Sequence, residues 1–364
     1  MRNGQARIVM KALDHIRVNA KTAVYAAACL LALIYLFPGA AGATEKNRFF
    51  SSKAAGTTSA DFLNLPVGAR AAAMGGAYSA ISEEASAIYW NPAGLVQIPK
   101  LSAIFMRSQY VADISYQYAA YAHRLSYDSV LAGSVLLTDI GAIDRTNASG
   151  DKLGTFSPRD EVLTLSYSKA ILEFSDRNMD VSIGVSAKYI KSQIVESAHA
   201  YAGDLGIMTY NFASIPYRLG VTMTNLGSGM RYDVDSSPLP LTFKLAGAVN
   251  PFRNMLFSAD LVLPKQNAPS LLLGSELSTE PNELTRLSAR AGLNTQRLKD
   301  GLGGFTMGVG GTFHFFSLDY AFVPLGELGS THKISVTFDF PFRNPVFNRR
   351  DRSIFTKMKA VSLK

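Results

Sequence analysis

The chain has a single cysteine in 364 residues, Cys29, and it falls inside an apolar run near the start. Downstream of that run, no disulfide, thiolate metal ligand or thiol nucleophile can exist. Histidine is scarce as well. Beyond the first 43 residues only His123, His199, His314 and His332 remain, and none has metal-ligand spacing. There is no G-x-S-x-G elbow, phosphate-binding loop or nucleotide fingerprint, and the polar stretch 144–151 lacks calcium-loop spacing. The sequence therefore supports no enzyme, no cofactor and no metal centre. No stretch after residue 43 holds eighteen uninterrupted apolar residues, which excludes helical membrane spans there.

The first 43 residues read as a leader. Arg2, Arg7, Lys11, Arg17 and Lys21 form a basic region, residues 22–37 form a short apolar run, and Ala41-Gly42-Ala43 offers an A-x-A cleavage site. Cleavage is expected after Ala43; an uncleaved signal anchor is the alternative. Cys29 lies within the run and not at its end, which argues against a lipobox. The formal charge of +8 belongs to the two ends of the chain. The leader carries about +4 and residues 343–364 about +6, which leaves about −2 for the body. A basic nucleic-acid surface on the body is not expected.

Periodicity identifies the architecture. Ile334, Val336, Phe338 and Phe340 alternate with Lys333, Ser335, Thr337 and Asp339. Successive side chains on a strand point to opposite faces, so this strand has one oily and one wet side. The pattern recurs: Leu163 and Leu165 against Thr164 and Ser166, Leu219 and Val221 against Gly220 and Thr222, Phe257 and Leu261 against Ser258 and Asp260. About fourteen such segments follow Leu101, and an even number suits a single-chain bacterial barrel with lipid outside. The expected fold is all-β: a 14-stranded antiparallel transmembrane β-barrel over residues 101–342.

Connections give a second line of argument. If the first strand runs upward from the periplasm, odd-numbered connections lie outside and should be longer. The third, near 140–159, and the seventh, near 227–239, are long, whereas the sixth, eighth and twelfth are tight. Tyr116, Tyr118, Tyr121, Tyr201, Tyr210 and Phe252, among others near strand ends, are expected in interfacial girdles. The charges expected to face inward are Lys188, Asp204, Lys244, Asp260, Glu276, Arg290, Asp319, Lys333 and Asp339. In a narrow lumen they must pair with each other, with water or with a plug. They read either as a solvated wall or as a polar ligand site.

Residues 44–100 do not read as strands. The small-residue stretch Ala71-Ala72-Ala73-Met74-Gly75-Gly76-Ala77 suits a chain passing close to surrounding walls. Ser82, followed by Glu83 and Glu84, predicts a short helix over 82–88 with Ser82 as N-cap. Asn91-Pro92-Ala93-Gly94 predicts a turn, with Asn91 extended before proline and Gly94 free to take positive φ. A compact segment of this size ahead of the strands would lie inside the barrel as a plug.

Phe62-Leu63, Gly68-Ala69-Arg70, Met74-Gly75-Gly76-Ala77 and Tyr89-Trp90-Asn91-Pro92-Ala93-Gly94-Leu95 together resemble the N-terminal signature of the PorV/PorQ family, within the wider FadL-like group of outer-membrane barrels. Downstream, Tyr201-Ala202-Gly203-Asp204, Asn225-Leu226-Gly227 and Leu318-Asp319-Tyr320-Ala321 agree. The resemblance runs over essentially the whole chain after the leader and ends near Phe342. It implies a fourteen-stranded barrel in the outer membrane of a Gram-negative-type bacterium, with an N-terminal hatch over 44–100. Gly68, Arg70, Met74, Gly75, Gly76, Trp90, Asn91, Pro92, Ala93 and Gly94 would belong to that hatch. The basic tail, 343–364, departs from the pattern; it either contacts periplasmic partners or anionic headgroups, or is an idle extension.

Two activities follow from the resemblance. PorV-like members act in type IX secretion, receiving exported proteins, so secreted proteins or secretion-system components would be partners beside membrane lipid. FadL-like members pass hydrophobic small molecules such as long-chain fatty acids across the outer membrane. The secretion role is the first expectation and the transporter the second. Leu153, Phe156 and Met230 in the long connections suit either a hydrophobic route or a docked partner.

Overall fold

The computed structural model describes residues 50–51, 54–110, 114–174, 179–194, 196–211, 216–232 and 236–340. The leader with its cleavage site, the first residues of the expected hatch, Phe342 and the tail 343–364 lie outside the described residues.

Fourteen strands close into one antiparallel barrel. They are β1 (Leu101–Gln109), β2 (Ser115–Arg124), β3 (Ser129–Asp139), β4 (Arg159–Phe174), β5 (Met179–Gln193), β6 (Ser197–Asn211) and β7 (Tyr217–Gly227). The ring continues with β8 (Thr242–Phe252), β9 (Met255–Pro264), β10 (Ser270–Asn282), β11 (Thr285–Asn294), β12 (Phe305–Phe313), β13 (Phe316–Pro324) and β14 (Ser330–Phe340). Each pairs with its sequence neighbour, and β14 closes on β1 with Leu101 opposite Phe340 and Gln109 opposite His332. Closure satisfies the backbone groups that a sheet edge would leave open, which a sheet in hydrocarbon requires.

The expected alternation holds around the ring. Along β14, Lys333, Ser335 and Thr337 are buried while Ile334 faces out. Leu165, Val185, Leu205, Ile207, Met307, Val309 and Leu318 are exposed on the outer wall in the same phase. An apolar band of this extent on a water-exposed surface is rare, and it suits lipid contact. The aromatic expectation needs correction. Tyr121, Tyr201 and Phe252 do lie on the outside, but Tyr116, Tyr118 and Tyr210 are buried inside the ring. Their even numbers place them on the inward phase of their strands, opposite outward Gln117, Ala119 and Thr209.

One end of the barrel carries the even-numbered connections together with the start of β1 and the end of β14; this is the turn end. The other, the loop end, carries the odd-numbered connections. The third contains a two-stranded hairpin, Ile143–Thr146 with Lys152–Phe156, and the seventh a smaller one, Met230–Arg231 with Ser236–Ser237. The eleventh is a 3₁₀ segment, Thr295–Gly304. The fifth departs from the long-odd expectation, since only residues 194–196 separate β5 from β6. There the strands themselves lengthen: β4, β5 and β6 have 16, 15 and 15 residues.

The segment before β1 packs on the buried faces of strands at opposite sides of the ring. Its short helix Ala69–Ala73 meets β11 to β14, and its 3₁₀ turn Pro92–Gln97 meets β3 to β6. The segment starts at the loop end, where Phe50 N donates to Lys265 O and Ser59 N to Pro238 O, each 2.9 Å. It finishes at the turn end, where Lys100 N donates to Phe340 O at 3.1 Å.

Candidate functional site

Close backbone approach governs how residues 61–98 fit the wall. Gly75 and Gly76 have φ of +69° and +84°, which favours glycine over any residue with a Cβ. A Cβ on Gly75 would sit 2.7 Å from Leu293 N, and one on Gly292 of β11 would strike the Met74–Gly75 backbone. Thr306 Oγ1 clamps this crossing, accepting from Gly75 N and donating to Ala73 O, both at 2.9 Å. Met74, fully buried, lies over Gly274 of β10. Gly68, φ +79°, opens the helix, and Ala69 N donates to Ser335 Oγ of β14 at 3.1 Å.

The Asn91-Pro92-Ala93-Gly94 turn seats on the other side. Asn91 is extended, as expected before proline, and its Oδ1 accepts from Ala93 N at 3.1 Å while Nδ2 donates to Ser79 O at 3.1 Å. Pro92 and Ala93 press against Gly184 of β5 and Gly206 of β6, where any Cβ would collide. Ala93 O accepts from Ser182 Oγ at 2.9 Å and Ser168 Oγ at 3.2 Å. Gly94 departs from expectation: its φ is not positive. Glycine is needed there for space, because Ser82 O occupies the place of its Cβ.

The expected helix over 82–88 is likewise corrected. Helix begins only at Ala87 and runs to Trp90, and Ser82 has φ +36°. Instead of capping a helix, Ser82 Oγ donates to Tyr78 O at 3.0 Å, and the two glutamates turn to other partners. Glu83 joins a buried ion-pair network near the turn end. Arg70 Nη1 meets Glu83 Oε1 at 2.6 Å and its Nε meets Glu276 Oε2 at 2.8 Å. Arg218 Nη1 meets Glu83 Oε2 at 3.1 Å. Glu276 also takes Arg290 Nε at 2.7 Å and Arg286 Nη2 at 3.2 Å, and Arg290 Nη1 reaches Asp319 Oδ1 at 2.6 Å. This network ties the N-terminal segment to β7, β10, β11 and β13. Burial alone would raise the Glu83 carboxyl, but Arg70 and Arg218 outweigh it and hold it below the usual carboxylate range. Glu84 lies beside the network without a salt bridge among the described residues. Burial, with the nearby charges of Asp319 and Asp339 and against the pull of Arg70, pushes it up to about 7.

Of the other inward charges, Asp260 Oδ2 accepts from Ser79 N at 3.0 Å. Lys188 Nζ pairs with Asp204 Oδ2 at 2.7 Å and donates to Asn225 Oδ1 at 2.8 Å, while Asn225 N donates to Asp204 Oδ1 at 2.8 Å. Lys333 is buried with its Nζ 5.0 Å from the Tyr116 ring centroid and no hydrogen-bond partner among the described residues. Asp339 is half-buried, and its Oδ1 has no partner among them either. Lys244 Nζ stands 4.8 Å from the Trp90 ring centroid and 5.8 Å from that of Tyr89. Trp90 is fixed in turn by its Nε1, which donates to Val67 O at 3.1 Å. Above Trp90 and Tyr89, at the loop end, lies a cavity of about 320 Å³.

Sequence reasoning did not single out Arg218, Arg286 or the cavity residues Gln266 and Arg297, and it placed Glu83 and Glu84 only in the first turn of a helix. The strand phase was sufficient for two of them. Outward Leu219 and Leu287 put Arg218 and Arg286 on the inner face. Gln266 and Arg297 lie in connections, where no periodicity operates.

Residues 50–255 match the family model described as "Type IX secretion system protein PorV". No curated protein matches the chain. Among solved structures, the Ralstonia pickettii toluene transporter TbuX aligns at 11% identity with a TM-score of 0.50, covering 75% of this chain and 98% of its own. The Pseudomonas putida toluene transporter TodX aligns at 12% identity, TM-score 0.47, over 74% and 96%. A Pseudomonas aeruginosa FadL homologue aligns at 11%, TM-score 0.45, over 76% and 99%.

Proposed function

Because this chain belongs to the PorV family of outer-membrane barrels, we propose that it serves protein secretion of the type IX kind as a barrel that binds exported proteins or secretion components, with residues 44–100 as its hatch. The observation that carries this reading is the filled interior. The N-terminal segment is fastened to strands on opposite sides of the ring by backbone contact, hydroxyl hydrogen bonds and the Arg70–Glu83–Glu276 ion pairs. Such a barrel offers a rigid outer surface and a set of loops, and its closed interior suits docking better than flux. The long connections, with exposed Leu153 and the hairpins at 143–156 and 230–237, supply a docking surface at the loop end. In this orientation the loop end faces outward, and the turn end, with the start of β1 and the end of β14, faces the periplasm.

A hydrophobic route through the lumen is less well supported. TbuX shares the fold at low identity, and the cavity at the loop end mixes apolar side chains such as Leu63, Val262 and Leu272 with Lys188, Lys244, Asn64 and Asn225, a charged lining that suits hydrocarbon passage poorly. Deleting the gene in its native host tests the reading. The expected result is loss of secreted proteins from the medium, with co-purification of those proteins on the tagged barrel. Unchanged secretion together with lost uptake of a hydrophobic compound would replace it with transport.

A further inference from the structure

The cavity above Trp90 contains charge and hydrogen-bonding capacity that the protein itself does not use. Lys244 Nζ rests over the faces of Trp90 and Tyr89, which hold the ammonium from one side. No hydrogen-bond acceptor among the described residues bonds it; Asp260 and Asp204 act on it only at a distance, so its N–H donors stay open to the cavity. Lys188, the other lysine in the lining, is already paired with Asp204. Gln266 also lines the space, and its Oε1 is shielded from solvent with no donor. A buried carbonyl left without a donor is destabilising until one arrives. Arg297, on the 3₁₀ segment at the same rim, has no salt-bridge partner among the described residues.

We propose that this cavity binds a small hydroxylated organic anion of the sugar-acid or sugar-phosphate class. The anionic group meets the free side of Lys244, with Arg297 as a second cation, and a ligand hydroxyl donates to Gln266. Asn64 and Thr224, also in the lining, suit further hydroxyls. The volume lies at the small end of ligand sites, which run from about 300 to 1,000 Å³, so it suits a monosaccharide rather than a long acyl chain. A hydrocarbon would fit poorly for a physical reason: it would cover Lys244 and Gln266 and give neither a partner. The proposal needs only a folded barrel and stands apart from the secretion role.

Trp90 is the sole tryptophan of the chain and contacts Lys244, so its fluorescence reports the site directly. The leaderless barrel, purified in detergent with heat-modifiable migration as the check of folding, is titrated with glucuronate, glucose 6-phosphate, glucose and toluene. The expected result is a saturable change in Trp90 emission with at least one of the two anions, weakened by salt, and at least tenfold weaker binding of glucose and toluene. The stronger of the two anions distinguishes a carboxylate from a phosphate ligand. Lys244→Met is expected to weaken anion binding tenfold or more, measured by calorimetry because the substitution alters the fluorophore's surroundings. Gln266→Leu, outside the strands, tests the hydroxyl contact in a second folded variant and is expected to cost severalfold. No response to either anion, equal binding of glucose or toluene, or anion affinity unchanged in both variants would overturn the proposal.

Discussion

Glu84 is the residue whose surroundings most clearly set a pH response. It is buried, its Oε1 accepts from Ser86 Oγ at 2.9 Å, and its carboxyl is raised from about 4.5 to about 7. A raised folded-state value means that the folded protein binds the proton more tightly than the unfolded chain. The stabilisation is therefore complete below about pH 4.5 and lost as pH rises through about 7. Its ceiling is about 3 kcal/mol, from the size of the displacement. Unfolding of the purified barrel followed between pH 4.5 and 8 is expected to show stability falling with pH, and Glu84→Gln is expected to flatten that dependence. An unchanged slope in the variant would contradict the account. The neighbouring Glu83 behaves oppositely because two arginines face it. From the sequence the two glutamates were indistinguishable, and both looked like the acidic first turn of a helix. Local pattern could not reveal that Glu83 would meet arginines on β7 and in the N-terminal segment while helix began only at Ala87.

At the scale of elements, strand and segment are matched through glycine. Gly206 of β6 lies under Asn91, and its missing side chain leaves room for Pro92 and Ala93. Gly206→Val is expected to dislodge the Asn91–Gly94 turn while leaving the barrel closed, because overpacking of about 1–3 kcal/mol falls on the contact and not on the ladder. Limited trypsin digestion checks this: cleavage after Arg70 or Lys100 in the folded variant, and resistance in the parent. The outer face responds to a different solvent. Leu165 is 60% exposed in the middle of β4, and Leu165→Arg is expected to weaken the barrel in bilayers by about 2–4 kcal/mol, measured as reduced heat-modifiable species. The strands were legible because period-two alternation survives wherever one face meets lipid. Tyr116, Tyr118 and Tyr210 were misread because aromatic identity was allowed to outweigh their phase. The fifth connection departs for another reason: β5 and β6 stay paired as far as Gln193 and Ser197, which leaves only residues 194–196 between them.

For the whole molecule, the family model and the closed ring agree on an outer-membrane barrel, and the strand count was readable from Leu101 onward. The candidate site was only partly readable. The sequence identified the glycines and most inward charges, but pairings such as Arg70 with Glu276 join residues distant in the chain and depend on barrel closure. The central claim is that residues 54–100 occupy the interior of a membrane-embedded ring. Single-channel recording of the purified, leaderless barrel in a planar lipid bilayer tests it most directly. The account predicts insertion without stable conductance, and stepwise openings once residues 61–98 are excised. Steady open-pore current from the intact barrel would contradict it.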